Sequence, residues 1–431
     1  MENHSIGEKI KELRKKKKMT QTDLAGEFIT RTMLSKIETG VARPSLETIR
    51  RIADKLEAPI SYFLNESEEK KYHTQDPYLI SYHHIAFLYK NGEYKQALSY
   101  FYGLHQDSQD PESHDSYYKC LLYICYCLLK KGDYEDLSVK VTGLIKHFTL
   151  KKDHYFLSKS HHIEGLKHFY AEAYDKAEDK LYQALDDLAR SYVDDKLYHI
   201  KLLYSLGFAQ YRQNKNQLAL QTFDQLIKWS NDYDCTYRLG EVYMLMGNIA
   251  RLDKKYKESI PFTLKAMNYF MIVNKPYLLA SCRDNMALSY IYLKDYKEAR
   301  ASLNESVNYY KSHDLSKDLS YAYSLLFRIS LEQGDYQEGQ VLLDTINMDD
   351  LSKENQVRTL IYASKLALHK KDELLSKQVL FQAQDLLKNE RDYQPLKALV
   401  YSQLADIYSK AGDYKKAFEY SDLANKMNQS H

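Results

Sequence analysis

Apolar positions in the first 64 residues recur at helical spacing. Ile6, Ile10 and Leu13 mark one helix, and Leu24, Ala25 and Phe28 a second. Met33, Leu34 and Ile37 mark a third, and Leu46, Ile49, Ile52, Ala53 and Leu56 a fourth, with "APISYFL" closing a small bundle. Polar residues punctuate these stripes. Thr20-Gln21-Thr22-Asp23 has the order of a capping box, Thr30 to Thr32 offers another start, Gly40 a stop, and Pro44-Ser45 a further start. "NESEEKKYHTQDP", residues 65–77, has no apolar period and reads as a linker.

Beyond the linker one phrase returns. "NGEYKQA", "KGDYEDL", "AEAYDKA", "NKNQLA", "DKKYKES", "LKDYKEA", "QGDYQEG", "KKDELLS" and "AGDYKKA" centre on Tyr94, Tyr134, Tyr174, Asn216, Tyr256, Tyr296, Tyr336, Glu373 and Tyr414. The steps are 40, 40, 42, 40, 40, 40, 37 and 41 residues. A fixed period of this length predicts a solenoid of stacked helix pairs over 78–431. Small residues recur three after the centre, at Ala97, Ala177, Ala219 and Ala299. Others recur in the stretch before it: Gly165, Gly207, Gly247, Ala287 and Ala405.

Composition agrees with an all-α fold, since 14 Gly and 7 Pro in 431 residues are too few for a turn-rich β architecture. The five cysteines are odd in number and lack paired C-x-x-C spacing, which argues against a disulfide framework or a zinc site and for a reducing cytoplasm. No 18-residue apolar run marks a membrane span, and the N-terminus lacks a secretory h-region. Through Leu64 there are 13 Lys/Arg against 9 Asp/Glu, net +4, whereas the remainder is net −2. The basic surplus therefore sits on the bundle, where contact with nucleic acid would place it. Neither a phosphate-binding Gly-rich loop, a His-Glu-x-x-His spacing nor a nucleophile elbow occurs, so no enzyme, metal or cofactor is expected.

Thr20-Gln21, Leu24-Ala25, Ser35, Ile37-Glu38, Gly40 and Pro44-Ser45 together resemble the helix-turn-helix domain of the Cro/C1 repressor and Xre type, over residues 6–64. From Ala25 to Ser35 the chain is one residue shorter than the common pattern, and Ile29 replaces the usual turn glycine. The resemblance implies DNA readers at Thr30, Arg31, Thr32, Ser35 and Lys36, a phosphate contact at Gln21, and binding as a dimer. The run Arg14 to Lys18 adds charge that phosphate would attract.

The recurring phrase resembles the corner of tetratricopeptide repeats. That likeness implies a right-handed superhelix of about nine helix pairs, with first helices lining a concave channel suited to an extended peptide. Counted from each corner, inward positions include Lys201, Tyr204, Glu241, Met244, Asn248, Arg251, Asp284, Asn285, Tyr321, Arg328, Arg358 and Lys365. Amides there can donate to and accept from a peptide backbone, and charged groups can meet its termini. The two modules in this order resemble the RRNPP family of peptide-sensing quorum regulators of Gram-positive bacteria, most of all its neutral-protease-regulator branch. The resemblance implies a transcription regulator bound to an operator duplex as a homodimer or higher homo-oligomer, with a short signalling peptide as effector. The alternative is a repeat scaffold for a response regulator or other signalling protein, with DNA binding secondary.

Overall fold

In the computed structural model the chain is described over residues 5–25, 29–64, 77–106, 114–388, 390 and 393–429. Phe28 and, apart from Pro77, the expected linker lie outside these residues. The described residues hold 23 α-helices and no strand. The chain divides into two compact units, 1–237 and 238–431.

The first unit opens with α1 (Ile6–Lys16), α2 (Gln21–Ala25), α3 (Arg31–Glu38), α4 (Leu46–Lys55) and α5 (Ile60–Phe63). The anticipated caps form. Ser5 and Glu8 make a reciprocal box on α1, and Thr20 and Asp23 make another ahead of α2. Thr30 and Ser45 cap α3 and α4. Ile10, Leu24, Leu34, Ile37, Ile49, Ile52 and Leu56 close one core. Met33 departs from its expected inward place and stands 44% exposed on α3.

Four helix pairs complete this unit: α6 (Pro77–Lys90) with α7 (Tyr94–Gln106), α8 (Asp115–Lys131) with α9 (Tyr134–Lys151), α10 (His154–Tyr170) with α11 (Tyr174–Arg190), and α12 (Lys196–Arg212) with α13 (Asn216–Asp232). Ile80 of α6 joins the helix-turn-helix core. The second unit holds five more pairs: α14 (Leu239–Leu252) with α15 (Tyr256–Ile272), α16 (Pro276–Tyr292) with α17 (Tyr296–Ser312), α18 (Ser316–Gln333) with α19 (Tyr336–Thr345), α20 (Lys353–His369) with α21 (Glu373–Leu387), and α22 (Gln394–Lys410) with α23 (Tyr414–Gln429). Nine pairs match the nine phrases, and every second helix begins on a phrase centre.

The phrase recurs because the corner repeats one backbone solution. Two residues before each centre the chain turns left-handed: Gly92, Gly132, Glu172, Asn214, Lys254, Lys294, Gly334, Lys371 and Gly412 all have positive φ. The next residue then donates its amide five residues back, as in Glu93 N to Leu88 O (2.9 Å), Lys255 N to Ala250 O (2.8 Å) and Asp335 N to Ser330 O (2.8 Å). This is the Schellman bond that satisfies a helix's last carbonyls. Several central tyrosines then bridge to the next pair. Tyr256 stacks on Tyr292 at 4.6 Å, and Tyr336 on His369 at 3.5 Å.

Within a pair the helices cross where a side chain is missing. A Cβ on Gly207 would meet the Phe223 ring at 2.5 Å, and one on Gly165 would meet Leu181 at 3.0 Å. Ala177, Leu181, Ala219, Phe223, Ala299 and Leu303 are fully buried beside these crossings. We expect Gly207→Ala to destabilise the first unit by about 1–3 kcal/mol through overpacking. Gly143→Ala, inside α9 with open space around it, should stabilise by about 0.5–1 kcal/mol. Urea unfolding followed by circular dichroism measures both, and equal signs would refute the crossing argument.

Candidate functional site

The head is organised by one buried ion pair. Arg14 and Glu38 are 8% and 4% exposed. Arg14 Nε donates to Glu38 Oε1 at 2.6 Å, and Nη2 to Oε2 at 2.9 Å. Arg14 Nη1 donates to the Met19 carbonyl at 2.8 Å, and Gln21 Nε2 to Glu38 Oε2 at 2.8 Å. Burial works against the charge on Glu38, but the hydrogen bonds from Arg14 and Gln21 and the Arg14 charge outweigh it and hold the carboxyl below its ordinary range. Arg14 is thus a core residue and does not join the lysines after it in facing solvent. The pair ties α1 to α3 and to the start of α2, which fixes how α3 is presented.

On α3, Thr30 caps the helix with Oγ1 accepting from Met33 N at 3.1 Å. Thr30, Arg31, Thr32 and Lys36 are exposed, and Ser35 is half-buried. Gln21 keeps a second Nε2 proton beyond the one given to Glu38. A polar, cationic helix end therefore faces outward, backed by a rigid core.

Of the twelve positions expected on the repeats, Lys201 and Tyr204 belong to the first unit. Lys201 Nζ lies 5.4 Å from the Tyr237 ring centre, and Tyr204 packs beside Phe208. The other ten lie in the second unit, and four of them line one cavity. Arg251, Tyr321, Arg328 and Arg358 meet around a space of about 290 Å³, together with Leu288, Tyr292, Glu354 and Tyr362. The lining comes from α14, α16, α18 and α20, the first helices of four successive pairs.

Electrostatics in this cavity are uneven. Arg328 donates Nε to Glu332 at 2.9 Å and sits between the Tyr292 and Tyr362 rings, 4.8 and 5.7 Å away. Glu332 also accepts from Tyr296 and Tyr362, both at 2.9 Å. Arg358 donates to Glu354 at 3.0 and 2.8 Å. Arg251 has no such carboxylate, and its Nε is buried with no hydrogen-bond partner among the described residues. One turn earlier on α14, Asn248 Oδ1 is buried and equally without a partner. Burial drives the Tyr321 hydroxyl up to about 12, with Asp284 adding to the rise and Arg251 and Arg358 opposing it.

The remaining positions lie elsewhere. Glu241 is 9% exposed and pairs with Arg238 at 2.7 Å and Lys275 at 3.1 Å. Met244 packs against the small core of Ala266, Phe270 and Cys282. Asn285 is half-buried, and Lys365 is exposed with Nζ 4.8 Å from the Tyr362 ring. Asp284 is turned into the helix layer. It is 4% exposed and accepts from Ser306 Oγ at 2.5 Å and Tyr310 OH at 2.7 Å. Burial raises its carboxyl to about 7 against the pull of those two hydroxyls. Tyr292, Tyr362 and Glu354 were not singled out in the sequence. A signal existed, because Tyr362 lies 41 residues after Tyr321, one repeat further on.

A helix-turn-helix family model matches residues 10–63. No curated protein matches the chain by sequence. Among solved structures, the apo form of RapI superposes with a TM-score of 0.65 at 15% identity, covering 82% of this chain and 98% of its own. Aspartyl phosphate phosphatase F from Bacillus subtilis gives 0.52 at 15%, covering 85% and 95%. The apo quorum sensor NprR from B. thuringiensis gives 0.50 at 14%, covering 72% and 98%. At these identities the likeness is one of fold.

Two measurements follow. Glu38→Ala leaves Arg14 buried and unpaired, which should cost the head about 3–5 kcal/mol, with much of it recovered when Arg14→Met is added; hydrogen exchange of α1 and α3 amides reads this out. The Glu38 contribution is present above its unfolded value, about 4.3, and is lost as pH falls through the lower folded value. For Asp284 the sign is opposite. Its folded value is raised, so the second unit should lose stability as pH climbs from about 4 through about 7. Denaturation series across that range should slope downward, and Asp284→Asn should flatten them.

Proposed function

We infer that function follows from the build of the chain, a helix-turn-helix domain joined to a helical-repeat fold like that of RapI and NprR. We propose that the protein is a cytoplasmic transcription regulator. Residues 1–64 read an operator duplex, and residues 78–431 accept a short signalling peptide that alters operator affinity or oligomeric state. This is the division of labour of the RRNPP regulators that the sequence resembles. Arg31 meets a guanine edge in the major groove, Thr30, Thr32, Ser35 and Lys36 flank it, and Gln21 contacts phosphate. Two copies reading two half-sites make the functional unit.

The observation that carries this reading is the partnerless pair on α14. Asn248 Oδ1 and Arg251 Nε, an acceptor and a donor one turn apart, are buried without partners among the described residues, and Arg251 lines a cavity walled by tyrosines. A buried polar atom without a partner costs about 1–3 kcal/mol, and a peptide carries both donors and acceptors along its backbone. Tyr321, Arg328 and Arg358 line the same cavity and supply further contacts, with Asn285 and Lys365 of the same unit open to a ligand that extends beyond it. NprR is itself named a quorum sensor, and a Rap protein has been solved with competence and sporulation factor. The fold shared with aspartyl phosphate phosphatase F favours one rival, a scaffold for a response regulator.

The test is operator selection from a random duplex pool with the full chain, followed by fluorescence anisotropy with and without peptides secreted by the source organism. Selected duplexes should bind, and one peptide should shift their affinity by about 5- to 150-fold. Arg31→Ala should lose about 1–3 kcal/mol of discrimination at one base pair. If no duplex is enriched while a phosphorylated response regulator is captured, the scaffold reading replaces this one.

A further inference from the structure

Three guanidinium groups meet in the second-unit cavity, but they are not equivalent. Arg328 and Arg358 each bond a glutamate four residues away on the same helix, through Glu332 and Glu354. Their charge is largely spent locally. Arg251 forms no ion pair within 4.0 Å among the described residues, whereas Arg358 is already matched by Glu354. Its Nε is buried and donates to no described residue.

A guanidinium normally presents Nε and one Nη as a fork, and the matching partner is a planar oxyanion. A neutral carbonyl would fill one prong and leave the other. The walls favour the same class of ligand. Tyr292, Tyr321 and Tyr362 line the cavity while adding no negative charge, since burial holds the Tyr321 and Tyr362 hydroxyls above their ordinary values. With Arg328 and Arg358 matched to Glu332 and Glu354, Arg251 leaves one net positive charge at the cavity, so a cationic side chain would enter against the field.

We propose that the ligand of this cavity carries a carboxylate, received bidentately by Arg251, so that the chain selects peptides that present one over peptides that present none. The inference rests on the peptide-binding reading above and adds to it the chemical class of the peptide. The carboxylate comes from an Asp or Glu side chain or from the peptide's own C-terminus.

Three random hexapeptide libraries separate these cases: free-acid, C-terminally amidated, and amidated with Asp and Glu omitted. Each is equilibrated with the full chain, and retained peptides are sequenced by mass spectrometry. Retention of the first two with enrichment of Asp or Glu assigns a side chain; retention of the first alone assigns the terminus; both support the proposal. Arg251→Gln should lower affinity for a retained peptide by about tenfold or more, with Arg251→Lys intermediate because it keeps charge without the fork. Unchanged circular dichroism and melting in both variants exclude misfolding. Equal retention of the Asp/Glu-free amidated library overturns the carboxylate assignment while leaving peptide binding intact. Retention of no library overturns both.

Discussion

The repeat domain depends on how closely the two helices of a pair can cross. At Gly207 and Gly240 the space a methyl would occupy is taken by the Phe223 and Phe270 rings. At Gly247 it is taken by the Thr263 hydroxyl, and fully buried Ala287 serves the same role one pair on. Where backbones approach this closely, each pair offers flat faces to its neighbours, and stacking buries what a lone pair would expose. The near-constant step of 40 residues follows, because two helices of about 17 residues need two corners of fixed geometry between them. The left-handed residue at each corner is glycine in four of nine cases. The others are Glu, Asn or Lys, whose backbone cost the Schellman bond and the packed pair must offset.

The head solves a different problem with a different device. Five short helices cannot bury enough apolar surface to fix the angle of α3 by packing alone. The Arg14–Glu38 pair adds direction, because a bidentate guanidinium fixes orientation as well as distance. Gln21 joins the same carboxylate, so the start of α2 and the end of α3 share one anchor. The same network empties the outward face of internal obligations. Arg31 and Lys36 stay exposed there because the charges inside the head are already matched to each other.

Much of this was legible in the sequence. The nine corners, the small residues at the crossings and the caps of α3 and α4 all follow from local rules that tertiary context does not overrule. The facing of individual side chains was less legible. Successive residues on a helix differ by about 100°, so Asp284 and Asn285 cannot share a face. Counting from the corner included both, and Asp284 turned inward to Ser306 and Tyr310. Arg14 looked like the first of a basic run, yet its partner Glu38 lies 24 residues on, a separation no periodicity reports. Tyr292 and Glu354 became visible as cavity residues only once stacking set α16 beside α18 and α20. Their contribution depends on contact between pairs, and a single repeat's pattern does not encode that.

The cavity's position also bears on how a ligand could act at all. Its lining comes from α14, α16, α18 and α20, so one occupant touches four successive pairs. In a solenoid each pair contacts chiefly its neighbours, and small changes in their spacing add along the stack. A ligand shifts such an equilibrium only as far as it binds one spacing better than another. Arg328 and Arg358 are held by glutamates on their own helices, so their own ion pairs survive a change between pairs. Arg251 has no such tether. Its interaction is the one left to be made across pairs, and that makes α14 the element whose place a ligand would determine.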